Sequence, residues 1–278
     1  MPYSRFLKHD VSEDTGPVKF VCYAALTTGR RLLRDLIKRH SVRSSERTSS
    51  GVEKKYDDYR SKIPLGTFDD YVLGTLPRDF TVVDGKVKFT DSQLAVAGYL
   101  RILRNIVGRY VRDGAVVELG CGGGRNLFYL GKHGITNPLV GFELSGTSVD
   151  LSRRASQHFG IKARFEQADV TKPLPDIGPV DVVFSIHAFE MMPRIFVGGI
   201  ENIRLLQPRV AIFFEPIEEI WSRSARGILS RIRVRQLDRL RGLYSEVKTL
   251  GRVVEERELE FATNPLNPTA LMVVELDR

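Results

Sequence analysis

Apolar residues in the second half of the chain fall into short runs that alternate with longer amphipathic segments. The short runs predict buried strands at 115–119, 138–143, 162–166, 180–185 and 209–214. Apolar residues at helical spacing predict helices between them, at about 125–133, 147–158 and 194–205. Because strands that alternate with helices form right-handed βαβ units, this pattern predicts a parallel sheet with helices packed on it.

The hydrophobic pattern predicts further helices and strands before and after this α/β region. The further predicted elements are a helix at 91–111, a basic helical region at 222–249, and strands at 253–261 and 270–276. Thr90 or Asp91 can cap the first of these helices. Residues 263–269 connect the two strands and contain two prolines, which cannot continue a strand. The last two strands are therefore expected to form a pair at the end of the sheet.

The first 90 residues lack this alternation and are expected to form a basic, partly flexible extension, with residues 91–278 as the main domain. The predicted segments of the extension are an amphipathic helix at 17–40, a serine-rich linker at 41–51 and a hairpin at 82–89. An Asp-Gly pair at 84–85 provides the turn of that hairpin. The extension is otherwise expected to be mostly helical.

The chain of 278 residues carries a net charge of +8, and that charge is uneven. Residues 1–62 contain fourteen Lys/Arg against eight Asp/Glu, and residues 223–252 contain nine against two. These segments are either solvated helix faces or surfaces that attract an anionic substrate, nucleic acid or membrane. No apolar run approaches the roughly 20 residues of a membrane span. Without a secretion signal, and with two distant cysteines, the chain is expected to be cytoplasmic.

A glycine-rich loop follows the first strand of the main domain, with glycines at 120, 122, 123 and 124. A dinucleotide fingerprint would need a glycine at Arg125 or Leu127, and a phosphate-binding P-loop would end in Gly-Lys-Ser/Thr. Neither fits. The spacing Glu-x-Gly-x-Gly-x-Gly, from Glu118 to Gly124, resembles the first motif of the class I S-adenosylmethionine (SAM)-dependent methyltransferases.

This resemblance implies a fold and a cofactor. The fold would be α/β, with a Rossmann-like seven-stranded sheet whose last strand is antiparallel and with helices on both faces. The cofactor would be SAM, held by Glu118, Gly120, Gly122 and Gly124 in the first motif. By the same resemblance Glu143 would accept hydrogen bonds from the ribose, Asp169 and Val170 would contact the adenine, and Ser185 and Ile186 would lie near the cofactor. Asp169 could alternatively cap the segment that follows it.

The resemblance also indicates residues on the acceptor side. Many members that methylate small molecules carry a histidine where this chain has Met191, so His187 is the remaining candidate base. A lone histidine is also often a packed or capping residue. Glu215, at the end of the fifth strand, is expected to face the substrate and to hold an acceptor hydroxyl. Tyr56 and Tyr59 of the extension are expected to contribute to a lid.

The leading hypothesis is a methyltransferase that acts on a hydroxyl of a small molecule or saccharide. An RNA methyltransferase is an alternative that the basic segments suggest, although the chain has no Asn-Pro-Pro-Tyr-type motif. A third alternative is a non-catalytic SAM-binding protein, or a scaffold docked peripherally on a membrane through residues 17–40. No metal site is expected, because the five histidines show no paired spacing with cysteines or carboxylates.

Overall fold

The computed structural model describes residues 63–75, 78–192, 196–236, 240 and 242–276. Its strands are β1 Asp79–Val83, β2 Lys86–Thr90, β3 Ala115–Leu119, β4 Leu139–Glu143, β5 Arg164–Gln167, β6 Val180–Ile186, β7 Val210–Glu215, β8 Gly251–Glu258 and β9 Ala270–Leu276. Its helices are α1 Phe68–Leu73, α2 Ser92–Tyr110, α3 Arg125–Lys132, α4 Gly146–Phe159, α5 Val197–Leu206, α6 Ala225–Gln236 and α7 Leu243–Lys248. A single 3₁₀ turn spans Phe189–Met191.

The described residues contain a seven-stranded sheet with the strand order β5-β4-β3-β6-β7-β9-β8. Strands β3 to β7 are parallel to one another, whereas β9 runs antiparallel to both β7 and β8. Strand β3 is the point at which the chain order changes direction across the sheet. Strands β4 and β5 follow on one side of β3, and β6 and β7 follow on the other side. The predicted parallel sheet with an antiparallel last strand is therefore confirmed. This reversal also marks where a ligand site is expected in such a sheet, beyond the carboxyl ends of the central strands.

Each face of the sheet is covered, which explains why its central strands are apolar at nearly every position. One core cluster joins Val116, Val182 and Ile212 to side chains of α2 and α3, such as Leu103 and Phe128. A second cluster, on the other face, joins the alternate positions of the same strands to α5 and α7. Its strand members include Val117, Val183 and Ala211, and its helix members include Ile200, Ile203, Leu243 and Val247.

Most of the predicted boundaries lie within one or two residues of those observed. The largest difference is in the basic region 222–249, which forms two helices, α6 and α7, rather than one. The helix predicted from residue 194 begins at Val197. The hairpin is present as β1 and β2, and both turn residues, Asp84 and Gly85, have positive φ, at 52° and 74°. That is the backbone a two-residue hairpin turn requires. Among the described residues, no helix is long and apolar enough to cross a membrane.

The described part of the extension packs directly on the main domain. Tyr71 and Val72 of α1 are 2% exposed and belong to the same core cluster as the side chains of α2 and α3. The hairpin is joined to the far end of the chain, because Val82 and Ala262 exchange backbone hydrogen bonds of 2.7 and 3.0 Å. This part of the extension holds one short helix and the hairpin rather than being mostly helical. The predicted helix at 17–40, the linker at 41–51, and Tyr56 and Tyr59 lie outside the described residues.

The close contact of α2 with Phe261 gives a testable prediction about the core. A Cβ on Gly98 would lie 2.2 Å from the Phe261 ring, whereas a Cβ on Gly108 of the same helix would meet nothing within 4 Å. We expect Gly98→Ala to lower the free energy of unfolding by about 1–3 kcal/mol because it overpacks the core. Gly108→Ala should raise it by up to about 1 kcal/mol through helix propensity. Urea unfolding measures both, and equal shifts would contradict the assigned contact.

Candidate active site

A cavity of about 450 Å³ opens at the carboxyl ends of the central strands. Five of the residues singled out in the sequence line it, namely Glu118, Gly120, Gly122, Ile186 and His187. The cavity wall also includes α1, α2 and the connection between β8 and β9, through residues such as Val72, Tyr99, Asn267 and Thr269. Segments far apart in the sequence thus enclose one space next to the glycine loop.

The glycine loop has the conformation that its spacing predicts. Gly120, Gly122 and Gly124 all have positive φ, at 73°, 56° and 75°, which disfavours any other residue. The N–H groups of Gly120 and Cys121 both donate to the carbonyl of Phe142, at 2.8 and 3.0 Å. These bonds fasten the loop to the end of β4, and residues 120–123 of the loop line the cavity. A Cβ on Gly120 would lie 2.5 Å from that of Ala188, so the loop can also approach the chain after β6 closely.

Glu118 is 1% exposed at the end of β3 and lies in the cavity wall. Its Oε1 accepts a 2.6 Å hydrogen bond from the Asn126 side chain, while Oε2 has no hydrogen-bond partner among the described residues. Burial raises the pKa of this carboxyl well above its usual range, although the Asn126 hydrogen bond opposes the shift. A buried carboxylate oxygen without a partner is costly, so this atom is suited to a cationic or hydrogen-bonding ligand group.

Glu143 holds the glycine loop through its side chain. Its Oε2 accepts a 2.8 Å hydrogen bond from Gly122 N–H, and its Oε1 accepts a 3.0 Å bond from Ser145 N–H. The residue is not part of the cavity wall itself. Each carboxylate oxygen can accept a second hydrogen bond, so the predicted contact with a ribose is compatible with these two bonds.

Asp169 caps the turn that follows it. Its Oδ1 accepts hydrogen bonds from the Thr171 backbone and hydroxyl, at 3.0 and 2.6 Å, and Oδ2 lies 3.4 Å from the Lys172 ammonium. Partial burial raises the pKa of Asp169, but these hydrogen bonds and Lys172 outweigh it and leave the pKa lowered. Val170 is 6% exposed, and its carbonyl accepts a 2.8 Å bond from Asn202. The capping role is thus present, and neither residue lines the cavity.

His187 is held in the cavity wall by bonds to both ring nitrogens. Its Nδ1 lies 2.9 Å from Glu190 Oε1, and its Nε2 lies 2.8 Å from the Thr269 hydroxyl. Its φ of 52° is uncommon for a residue other than glycine, and its backbone N–H donates to Phe214 at 2.9 Å. The side chain is 31% exposed, whereas that of Glu190 is 8% exposed. An imidazole oriented by a buried carboxylate has the arrangement of a general base.

Glu215 does not lie where the sequence suggested. It is 0% exposed, and it accepts backbone hydrogen bonds from three successive residues, Ala188, Phe189 and Glu190, at 2.9, 3.1 and 3.3 Å. The expectation that it faces the acceptor is therefore wrong, because those amides draw the carboxylate into the protein. Burial raises its pKa from 4.5 to about 7, more than His187 and the amides lower it. Ser185 is likewise buried, at 1% exposure, and lies behind the wall that Ile186 forms.

Several residues of the site were not found from the sequence. Tyr71 of α1 donates a 2.7 Å hydrogen bond to the carbonyl of Gly123, which ties the extension to the glycine loop. Thr269 and Asn267 reach His187 and Glu190 from the connection between β8 and β9. The partners are separated by 52 residues in the first case and by 82 between His187 and Thr269. The only local signal was the Asn-Pro-Leu-Asn-Pro-Thr stretch, whose prolines interrupt the strand pattern between β8 and β9.

The site and sheet can now be compared with known proteins. A family model described as "Methyltransferase domain" matches residues 116–207, from β3 to the end of α5. This segment contains the glycine loop, Glu143 and His187. The match over this segment supports the resemblance to the SAM-dependent methyltransferases that the motifs indicated. The match to a methyltransferase domain favours an enzyme over the alternative of a non-catalytic binding protein.

Solved structures confirm the fold of this methyltransferase. Magnesium protoporphyrin IX methyltransferase from Synechocystis PCC 6803, with bound S-adenosylhomocysteine, is 12% identical, with a TM-score of 0.57 over 83% of this chain and 100% of its own. A geranyl diphosphate methyltransferase in complex with geranyl diphosphate and sinefungin is 10% identical, with a TM-score of 0.55 over 80% and 98%. A 4+2 cyclase is 14% identical, with a TM-score of 0.57 over 82% and 97%. Because a cyclase shares the fold, the fold leaves the acceptor open.

The cofactor of the methyltransferase is SAM, and the residues present fit it. Glu118, whose Oε2 has no hydrogen-bond partner among the described residues, lines the cavity together with Gly120 and Gly122. This combination suits the ammonium and carboxylate groups of an amino-acid moiety. Among the described residues, no group of three or more His, Cys, Asp or Glu side chains could hold a metal ion.

The position of Glu143 predicts an effect on cofactor affinity. We expect Glu143→Ala to weaken SAM binding about 10- to 100-fold, since hydrogen bonds to a charged group contribute about 1.5–3 kcal/mol. Glu166→Ala is a matched control, because Glu166 lies on the adjacent strand and pairs with Arg164 outside the cavity. Calorimetry with SAM measures both. Unchanged affinity in Glu143→Ala would contradict its role in holding the cofactor.

The raised pKa of Glu215 predicts how stability depends on pH. The folded protein holds a proton on Glu215 up to about pH 7, whereas the unfolded chain loses it near 4.5. The folded state therefore binds more protons in this window, so the contribution of Glu215 is largest below pH 4.5 and falls by about 3 kcal/mol as the pH rises to 7. Glu215→Gln should abolish this part of the slope. Chemical unfolding at several pH values tests it, and parallel curves for the two proteins would count against it.

Proposed function

We propose that this methyltransferase transfers the methyl group of SAM to a hydroxyl oxygen of a small-molecule or glycan acceptor, with His187 as the general base. The observation that carries the proposal is the position of His187. Its ring lies in the wall of the cavity that the glycine loop also lines, and Glu190 orients it at 2.9 Å. A hydroxyl must lose its proton when it is methylated, so a hydroxyl acceptor would make use of such a base.

The dimensions and lining of the cavity support a small acceptor or the end of a glycan. A volume of about 450 Å³ lies within the range of small-molecule sites. Apolar side chains, among them Val72, Val96, Leu151, Ile186 and Phe214, form much of its surface. Polar groups are contributed by Tyr99, Asn264 and Asn267. Burial raises the pKa of Tyr99 to about 12, so its hydroxyl remains protonated and available as a donor.

The cofactor is expected to lie along the ends of β3, β4 and β5. When bound, SAM supplies an electrophilic methyl group on a sulfonium. The loop from Gly120 to Gly124 would lie against its methionine part, with Glu118 accepting from the ammonium. Glu143 would accept from the ribose hydroxyls, which its fixed bond to Gly122 supports. For the adenine, Asp169 and Val170 remain the proposed contacts, and Ser185 would act only through Ile186 beside it. The protein then has to orient the acceptor and exclude water.

The structure reduces the support for RNA as the acceptor. In the basic segment at 223–252, Arg226 pairs with Glu258 and Arg252 pairs with Glu275. Arg231 donates to the carbonyl of Ser222 at 3.0 Å. These guanidinium groups are engaged within the protein and are less suited to neutralise phosphates. The described part of this segment is therefore better explained as a structural and solvated surface.

The proposed function can be tested with methyl-labelled SAM. The full-length protein is incubated with separate small-molecule, glycan and RNA fractions of a cell extract, and the labelled product is examined by NMR. We expect a new O-methyl group in the small-molecule or glycan fraction. His187→Gln should lower the rate about 10²-fold or more, the size of a general-base contribution, without changing SAM affinity. Label in RNA alone, or full activity of His187→Gln on the labelled acceptor, would contradict the proposal.

A further inference from the structure

We propose that Thr269 is a catalytic residue that relays the proton of the acceptor hydroxyl to His187. The inference rests on the proposed hydroxyl methylation and adds the route that the proton takes. It assigns a role to the connection between β8 and β9, which lies outside the segment of residues 116–207 that matches the family.

The direction of the hydrogen bonds follows from Glu190. An ionised carboxylate only accepts hydrogen bonds, and the Asn267 amide donates to both of its oxygens at 3.3 Å. The His187 Nδ1, at 2.9 Å from the same carboxylate, must therefore carry a proton. In a neutral imidazole the other nitrogen, Nε2, is then an acceptor. The Thr269 hydroxyl, at 2.8 Å, consequently donates its own proton to Nε2.

The Thr269 hydroxyl is fixed in this position by the backbone around it. The Thr269 carbonyl accepts a 2.8 Å bond from Leu259 N–H, and the next residue, Ala270, pairs with Glu215 in the sheet. His187 is attached to the same strand β7 through its bond to Phe214. Thr269 is 6% exposed, yet it lines the cavity. Its oxygen, while donating to His187, still has lone pairs that can accept from an acceptor hydroxyl.

The relay consists of two proton transfers, one from the acceptor hydroxyl to Thr269 and one from Thr269 to His187. As the acceptor oxygen forms its bond to the methyl carbon, the carbon–sulfur bond breaks and its electron pair goes to sulfur. The acceptor hydroxyl gives its proton to Thr269 Oγ1, and Thr269 gives its original proton to His187 Nε2. Thr269 is thus unchanged, and His187 becomes an imidazolium beside the Glu190 carboxylate. Product release leaves His187 to return the proton to solvent, which its 31% exposed side chain permits.

The alternative is that the acceptor displaces Thr269 and donates directly to Nε2. The two routes predict opposite results for Thr269→Val, which keeps the shape of the side chain and removes the hydroxyl. A relay requires the hydroxyl, so kcat should fall about 10²-fold or more. Direct transfer is hindered by the hydroxyl, so kcat should be unchanged or raised.

The experiment compares full-length wild type, Thr269→Val, Thr269→Ser and His187→Gln on the acceptor identified with labelled SAM. We expect Thr269→Ser to retain most of kcat and Thr269→Val to lose it, with SAM affinity and melting temperature maintained in both. Thr249→Val, a similar change at an exposed position outside the cavity, should leave kcat unchanged. An active Thr269→Val together with an impaired His187→Gln would overturn the relay and leave the proposed function standing. A fully active His187→Gln would overturn both.

A second measurement tests the relay without any acceptor. Nitrogen-15 NMR of the imidazole in the wild-type protein distinguishes a protonated Nδ1 from a protonated Nε2. We expect the proton on Nδ1 in the neutral ring, and a changed Nε2 chemical shift in Thr269→Val, because that variant lacks the donor. A neutral ring with its proton on Nε2 would mean that His187 donates to Thr269. That result would overturn the relay even if His187 is required for activity.

Discussion

The active site depends on the close approach of two loops, the glycine loop after β3 and the turn at 187–190 after β6. Glu215 fixes the second loop by accepting three successive backbone N–H groups, the first of which belongs to Ala188. Ala188 in turn lies so close to Gly120 that a Cβ there would be at 2.5 Å. Glu143 completes the arrangement by holding Gly122 from the other side. Two carboxylates, at the ends of β4 and β7, thus hold the glycine loop and the turn that carries the candidate base.

The remaining walls of the cavity are contributed by the two ends of the described chain. Helix α1 reaches the glycine loop through the bond from Tyr71 to Gly123, and Arg125 lies 5.5 Å from the Tyr71 ring. The hairpin pairs with Ala262, and Leu266 packs against Phe80. The connection between β8 and β9 is therefore held by the hairpin on one side and by His187 on the other. A wall supported in this way is preorganised to position an acceptor, which is where an enzyme of this kind gains most of its rate.

The parts of this structure that could be predicted from the sequence are those that depend on local pattern. Apolar runs located the central strands of the large sheet most clearly, because burial on both faces leaves a strong signal in residues such as Val182 and Ile212. Glycine spacing located the cofactor loop, because its positive φ angles require glycine. Glu215 shows the limit: a carboxylate at the end of a strand can face a ligand or backbone amides, and only the three-dimensional path of residues 188–190 decides between them. The same holds for Thr269, whose partner is 82 residues away.

Glu118 and Glu215 are both deeply buried carboxyl groups, but they differ in how many hydrogen bonds they accept. This difference separates a structural role from a binding role. Both Glu118 and Glu215 are at most 1% exposed, and burial raises the pKa of each. Glu215 accepts three backbone amides, which offset part of its desolvation, and the residue serves to fix a loop. Glu118 has one bond, to Asn126, and one oxygen without a partner among the described residues. Because Glu118 lines the cavity, a ligand group that donates to this oxygen would offset the free energy lost by burying it. The hydrogen bonds of Glu118 therefore favour a binding role beside the glycine loop, whereas those of Glu215 favour a structural role at the turn of residues 187–190.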